Sequence, residues 1–256
     1  MTAQPRTTQS HTAAPAPVRR RTRRQFIPPQ HGAWAMLLLP WLVGILAAGP
    51  RWSHLPLLGA WLSGYLCSYY ALQAVKTGRV RRFRAQLLSY ATPTVLLGAL
   101  VLVLHPRLLW YAPGYALLLA VNAWYARRRD DRALLNDLAS VVQSCLMVFV
   151  CATVAGTPVE HLRTEFLAVT GYFTGTVLYV KTMIRERGHR GYRRASVAYH
   201  LGAFAVATWH SLSLGAVFGL FLARAWLLPT RPLTPKQVGL IEIACSALLL
   251  GALILA

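Results

Sequence analysis

Long apolar runs, broken at regular intervals by short polar and arginine-rich segments, dominate the chain from residue 32 onward. A run of roughly 20 apolar residues is what a helix needs to cross a bilayer, and inside lipid only a helix or a closed barrel satisfies its own backbone. Nine such runs are predicted, at 32–49, 54–74, 86–105, 108–126, 134–155, 165–184, 195–212, 213–229 and 237–256. Pro40, Pro93 and Pro113 fall within them. Only Trp209 to Ser213 separates the seventh run from the eighth, so these two also read as one re-entrant hairpin. The fold class is therefore all-α, a polytopic transmembrane bundle of about nine spans over 30–256. Residues 1–29 break the pattern with Pro5, Pro15, Pro17, Pro28, Pro29, six Arg and no acid. That composition cannot bury a core and predicts a disordered cytoplasmic tail.

Composition agrees with lipid as the solvent. Of 256 residues, 55% are hydrophobic and 13% charged, with a mean hydropathy of +0.42; soluble domains carry about a quarter charged residues. With the N-terminus in the cytoplasm, 24 of the 27 Lys and Arg fall on the tail side and only Arg51, Arg107 and Arg163 on the other. By the positive-inside rule the N-terminus is cytoplasmic and the C-terminus outside, in a multi-pass protein of the cell membrane. The net charge of +20 does not point to nucleic acid, because the charges sit between apolar spans and not on one soluble face. Membrane lipids are the expected partners. Cys67, Cys145, Cys151 and Cys245 all fall inside apolar runs without a CxxC pair, which speaks against disulfides and zinc. His54, His105, His161 and His210 are scattered near the outer face with no metal-ligand spacing, so no metal site is expected.

The densest chemistry lies in residues 179–200, where Lys181, Arg185, Arg187, Arg190, Arg193 and Arg194 are accompanied by a single acid, Glu186. Guanidinium forks match phosphate oxygens bidentately; the plainer reading is that these charges orient the protein and touch headgroups. Asn122, Asp137, Lys181, His200 and Glu242 all belong to the cytoplasmic third, where ionisable groups are expected to face a shared polar cavity. Lys181 and Lys236 also suit snorkelling from helix ends. Gln30 and His31 open the first span, where free N–H groups favour an anion. Gln73 and Lys76 share a helical face near Tyr69 and Tyr70. Asn136 and Asp137 serve either as a helix-start pair or as working groups, while Asp130 and Asp131 read as solvated balancing charges. The candidate catalytic residues are Asp137, Asn136 and Asn122. The candidate substrate-binding residues are Gln30, His31, Gln73, Lys76, Tyr125, Arg129, Lys181, Arg185, Arg187, His189, Arg193 and His200.

Three motifs carry a family resemblance: Pro28-Pro29-Gln30-His31-Gly32-Ala33-Trp34, Asn136-Asp137-Leu138-Ala139, and Lys181-Thr182-Met183-Ile184-Arg185-Glu186-Arg187. Together they resemble the YwiC-like family of bacterial integral membrane proteins, over nearly everything after the tail. A more distant likeness is to the UbiA-type intramembrane prenyltransferases, carried by nine helices, polar second and sixth cytoplasmic loops, and the 125–129 stretch with its Tyr and basic residues. That likeness implies a cytoplasm-facing cavity for a prenyl diphosphate, held through magnesium by two Asp-rich motifs. Here the corresponding positions, 69–84 and 181–194, contain no acid and Glu186 alone. Replacing paired aspartates by Lys and Arg removes the metal site, yet leaves positive side chains able to hold a phosphate. The expected function is binding or processing of an isoprenoid or other lipid phosphate. No cofactor is expected, and magnesium enters only if the ligand is a prenyl diphosphate. The alternatives are a proton-coupled transporter using Asp137, Glu242 and His200, and a non-catalytic assembly protein docked on anionic lipid.

Overall fold

The computed structural model describes residues 26–28 and 31–255, with only the backbone at His31 and Gly32, and it has no strand among them. The helices are α1 (His31–Ala48), α2 (His54–Thr77), α3 (Val80–Leu104), α4 (Ala112–Arg127), α5 (Leu134–Cys145), α6 (Met147–Ala155), α7 (Arg163–Ile184), α8 (Arg190–His210), α9 (Leu212–Leu227) and α10 (Pro235–Leu255). Short 3-10 turns cover Pro106–Tyr111, Val159–Leu162 and Leu228–Thr230. Leu146 donates to Val142 O at 3.0 Å and accepts from Val150 N at 3.0 Å, so α5 and α6 form one rod. The described residues thus contain nine rods, at the nine positions that the apolar runs predict. The tail expected over 1–29 lies outside the described residues except for 26–28, as does Gln30.

Two boundaries differ from the pattern. α3 starts at Val80 and α8 at Arg190, so Arg81, Arg82 and Arg84, and likewise Arg190, Arg193 and Arg194, are helical and not loop residues. Long straight-chain side chains are good helix formers, and the helices run on past the apolar stretch. α8 has its own start signal: His189 Nδ1 accepts from Tyr192 N at 3.0 Å. α8 and α9 are two packed antiparallel helices. At 21 residues α8 is about 31 Å long, which replaces the re-entrant alternative with a full-length pair.

Four rods are long and apolar enough to cross a membrane by composition alone: Val80–Leu104, Leu134–Ala155, Leu212–Thr230 and Pro235–Leu255. Of these α3 is the outermost, with only 6% of its most apolar window buried. A helix apolar all round and packed on one side is solvated by lipid, not water. Exposed tryptophans lie at both levels of the bundle: Trp52, Trp110 and Trp209 at one set of helix ends, Trp124 and Trp226 at the other. Indole rings concentrate at the two membrane interfaces, and Arg128 stacks its guanidinium 4.3 Å from the centre of the Trp124 ring. The chain is a helical membrane bundle.

Its centre is α1, α5, α6, α7 and α10, where Val141, Cys145, Val148, Val169 and Leu249 are fully buried. Pro40 interrupts α1 and has no N–H to give the carbonyl four residues back, at Met36. The Ser144 hydroxyl of α5 donates to that Met36 carbonyl instead. Gly44 permits the tight α1–α6 crossing, because a Cβ there would meet Cys151 Cβ at 2.7 Å; small residues let membrane helices approach this closely.

Candidate functional site

The rods bring the α2–α3, α4–α5, α7–α8 and α9–α10 connections to one end of the bundle, which is the arginine-rich end. Lys181, in the last turn of α7, meets Asp137, in the first turn of α5, with Nζ 2.9 Å from Oδ2. Lys181 Nζ also donates to the Arg132 carbonyl. Lys76, near the end of α2, forms an ion pair with Asp131, so Asp131 is a cross-bundle partner and not a solvated balancing charge. The Asp131 carbonyl accepts from Asn136 Nδ2 at 2.8 Å, and Asn136 Oδ1 accepts from Asn122 Nδ2 at 2.8 Å. Asn122 Nδ2 also reaches Ser140 Oγ at 3.3 Å. This polar layer ties α2, α4, α5 and α7 together. Gln73 and Tyr125 lie half-buried beside it, and Arg129 is exposed, in the left-handed region at φ +59° where α4 ends.

The α7–α8 loop forms a second group. Arg185 is exposed. Arg187 Nη2 donates to Leu233 O at 3.4 Å and Arg193 Nη2 to Trp226 O at 2.9 Å, which pins the loop over the ends of α9 and α10. Beside it, an apolar groove of about 400 Å³ opens between α8 and α9, lined by Val197, Leu201, Gly219, Leu222, Ala223 and Trp226. A larger depression of about 520 Å³ lies at the opposite end, edged by Arg51, His105 and Arg107, remote from the polar layer. His54 there is structural, its Nδ1 accepting from Arg51 N at 2.9 Å and its Nε2 donating to Cys151 O at 3.1 Å.

A third centre is one that the charge pattern does not reveal. Arg224 counts among the charges of the basic end, yet it lies inside α9 and is buried. Its Nη1 donates to Glu242 Oε1 at 2.6 Å. Glu242 Oε2 accepts from Thr176 Oγ1 at 2.8 Å and from the Tyr172 hydroxyl at 3.2 Å. The guanidinium carbon lies 4.5 Å from the centre of the Tyr179 ring. His200 is buried nearby, with Nδ1 2.7 Å from Ser196 O. Asp137 and Glu242 therefore have different partners and do not form one carboxylate cluster with His200. The signal that finds the pair is register: Arg224 and Glu242 are each nine residues from Leu233, so a helical hairpin turning there brings them to one level.

Among the described residues no group of three or more His, Cys, Asp or Glu stands together as a metal site. Asp137 is paired with Lys181 and Asp131 with Lys76, and a carboxylate paired with an ammonium group is a poor donor for the magnesium that a prenyltransferase likeness implies.

The family described as YwiC-like protein matches residues 27–152, a stretch that takes in Asn122, Asn136 and Asp137. A Bacillus subtilis protein described as uncharacterized protein YwiC is 34% identical over 239 residues, covering 91% of this chain and 98% of its own length. A Haemophilus influenzae protein, described as uncharacterized, is 34% identical over 236 residues, covering 89% and 96%. No solved structure matches this chain. Neither the family nor these relatives is described as a prenyltransferase. With a third of its residues shared along nearly the full length of both relatives, the chain belongs to the YwiC-like family.

Proposed function

We propose that this protein holds a lipid bearing a phosphate headgroup at the arginine-rich end of α8 and α9, in the cytoplasmic leaflet of the cell membrane. One observation carries the reading. Arg190 and Arg194 share a stripe of α8 with Val197 and Leu201, spaced by four, three and four residues. The two apolar members of that stripe line the groove against α9. A lipid chain laid in the groove would bring its phosphate up to the two guanidinium groups, each a fork that pairs with phosphate oxygens. Both arginines are exposed, and neither has an ion-pair partner among the described residues. Arg185, exposed in the α7–α8 loop, likewise has no ion-pair partner among the described residues. Arg187 and Arg193 support this reading as positioning residues, because their bonds to Leu233 O and Trp226 O hold the loop over the groove.

The test is thermal unfolding of the detergent-purified protein with isoprenyl phosphates and with anionic phospholipids, in chelator and in magnesium. A ligand that binds only the folded state raises the apparent stability. The expected outcome is a shift that survives chelator and is lost in an Arg190→Ala/Arg194→Ala variant. Preference for the isoprenyl series identifies the source of the phosphate as an isoprenoid; preference for phospholipid identifies it as bulk membrane lipid. A shift that depends on magnesium, or none with either series, overturns the reading.

A further inference from the structure

Arg224 faces both Glu242 and the Cys245 thiol of α10, yet two of its three nitrogens lack a hydrogen-bond partner among the described residues. Nη1 bonds Glu242, while Nε and Nη2 have no hydrogen-bond partner, although the residue is only 6% exposed. Those two form one edge of the planar guanidinium, with N–H bonds pointing the same way, the fork that matches two oxygens of a carboxylate. Three more buried polar atoms around it are unpaired: the Tyr179 hydroxyl, His200 Nε2 and Ser196 Oγ. Gly175 lies one helical turn from Tyr179 on α7, and a Cβ there would sit 2.9 Å from His200 Nε2. The His200 ring thus packs directly against the α7 backbone at Gly175, where no side chain fits without displacing it. Buried polar groups are paired with few exceptions, and an unpaired group asks for an explanation such as a missing water or ion. Here four residues on α7, α8 and α9 share the deficit.

Charge decides what such a ligand brings with it. Arg224 and Glu242 cancel, so a monoanion entering alone would leave a net negative charge inside the bilayer, which is costly. His200 can offset it. In the neutral ring Nδ1 donates to Ser196 O and Nε2 carries a lone pair; a proton taken up at Nε2 turns it into a donor. His200 packs against Gly175 of α7 and against Tyr199, edge-on at 5.9 Å on its own helix, and feels the Arg224 charge from α9. Glu242 and Cys245 act from α10 beside Arg224. We infer that Arg224 and His200 form a buried site for a small carboxylate anion that enters together with one proton. One monoanion and one proton bind, and the charge of the protein–ligand unit stays as it was. The site is separate from the α8–α9 groove and stands independently of the lipid reading.

The experiment is thermal unfolding and calorimetric titration of the full chain in detergent with acetate and with benzoate, against chloride as a spherical control, at several pH values where both probes are ionised. The wild type is expected to bind a carboxylate in preference to chloride. Its affinity is expected to fall about tenfold per pH unit once His200 is neutral in the free protein. His200→Gln is expected to abolish that pH dependence. Arg224→Lys keeps the charge opposite Glu242 but loses the fork, and is expected to weaken binding at least tenfold; Tyr179→Phe, which removes one oxygen only, serves if the lysine variant does not fold. Absence of carboxylate binding overturns the inference. So does an equal response to chloride, unchanged affinity in both Arg224→Lys and Tyr179→Phe, or a pH dependence that persists in His200→Gln.

Discussion

Arg224 Nη1 donates to Glu242 Oε1 across 2.6 Å and joins α9 to α10 inside the bundle. With side chains 4% and 9% exposed, neither charge has water to fall back on. Removing one partner of a buried pair strands the other and costs about 3–5 kcal/mol, whereas replacing both by apolar groups is often neutral. Glu242→Leu and Arg224→Met are each expected to destabilise by about that amount, and the double variant by much less. Reversible unfolding in mixed micelles checks it; equal or additive losses would contradict the pairing.

Lys181 and Asp137 are more open, with side chains 11% and 24% exposed, and their attraction is shared with water and salt. Their coupling in a double-mutant cycle is expected to be about 1 kcal/mol, and to shrink at high ionic strength. A coupling as large as that of the buried pair would mean that water does not reach the polar layer.

Ser144 and Met36 give a test by rescue. Ser144→Ala leaves the Met36 carbonyl without its donor, at a cost of about 1–3 kcal/mol for an unmet buried acceptor. Pro40→Ala restores the backbone N–H that the proline ring removes. The Pro40→Ala/Ser144→Ala double variant is therefore expected to be more stable than Ser144→Ala alone, as read by unfolding temperature.

Gly44 is tested by one methyl group. Gly44→Ala places a carbon 2.7 Å from Cys151 Cβ and 3.1 Å from Val148 backbone atoms, so α1 and α6 must separate. Overpacking of this kind costs about 1–3 kcal/mol. Gly98, on lipid-facing α3 with nothing near its missing Cβ, is expected to accept alanine without loss in the same assay.

The nine rods are legible in the sequence because each is a continuous apolar run of roughly the length a helix needs to cross the bilayer, whether it faces lipid or other helices. The starts of α3 and α8 are not, because arginine is a good helix former and the pattern changes solvent without changing structure there. Asp137 and Lys181 are legible as basic-end groups, but their contact is not, since it joins α5 to α7 across 44 positions of sequence. Lys76 with Asp131, 55 positions apart, is hidden for the same reason. Arg224 falls inside the eighth apolar run but enters the charge balance only as one more basic-end residue; the hairpin register with Glu242 is what reveals its buried partner. Ser144 carries no signal of its own, since nothing in the Gln143-Ser144-Cys145 stretch points to the carbonyl of Met36, 108 positions earlier.

α1 receives much of its hydrogen bonding from elsewhere in the chain. Trp61 Nε1 donates to Leu37 O at 3.1 Å, the Cys151 thiol to Trp41 O at 3.8 Å and the Thr157 hydroxyl to Ala48 O at 2.9 Å, besides the Ser144 bond to Met36, 108 positions along the chain. During synthesis α1 emerges long before α5 and α6 exist. Until they arrive, the carbonyl beneath Pro40 has no protein donor, and hydrocarbon offers none. α1 therefore precedes its own hydrogen-bond donors in the chain, and its carbonyls are fully met only once the middle of the chain has come through.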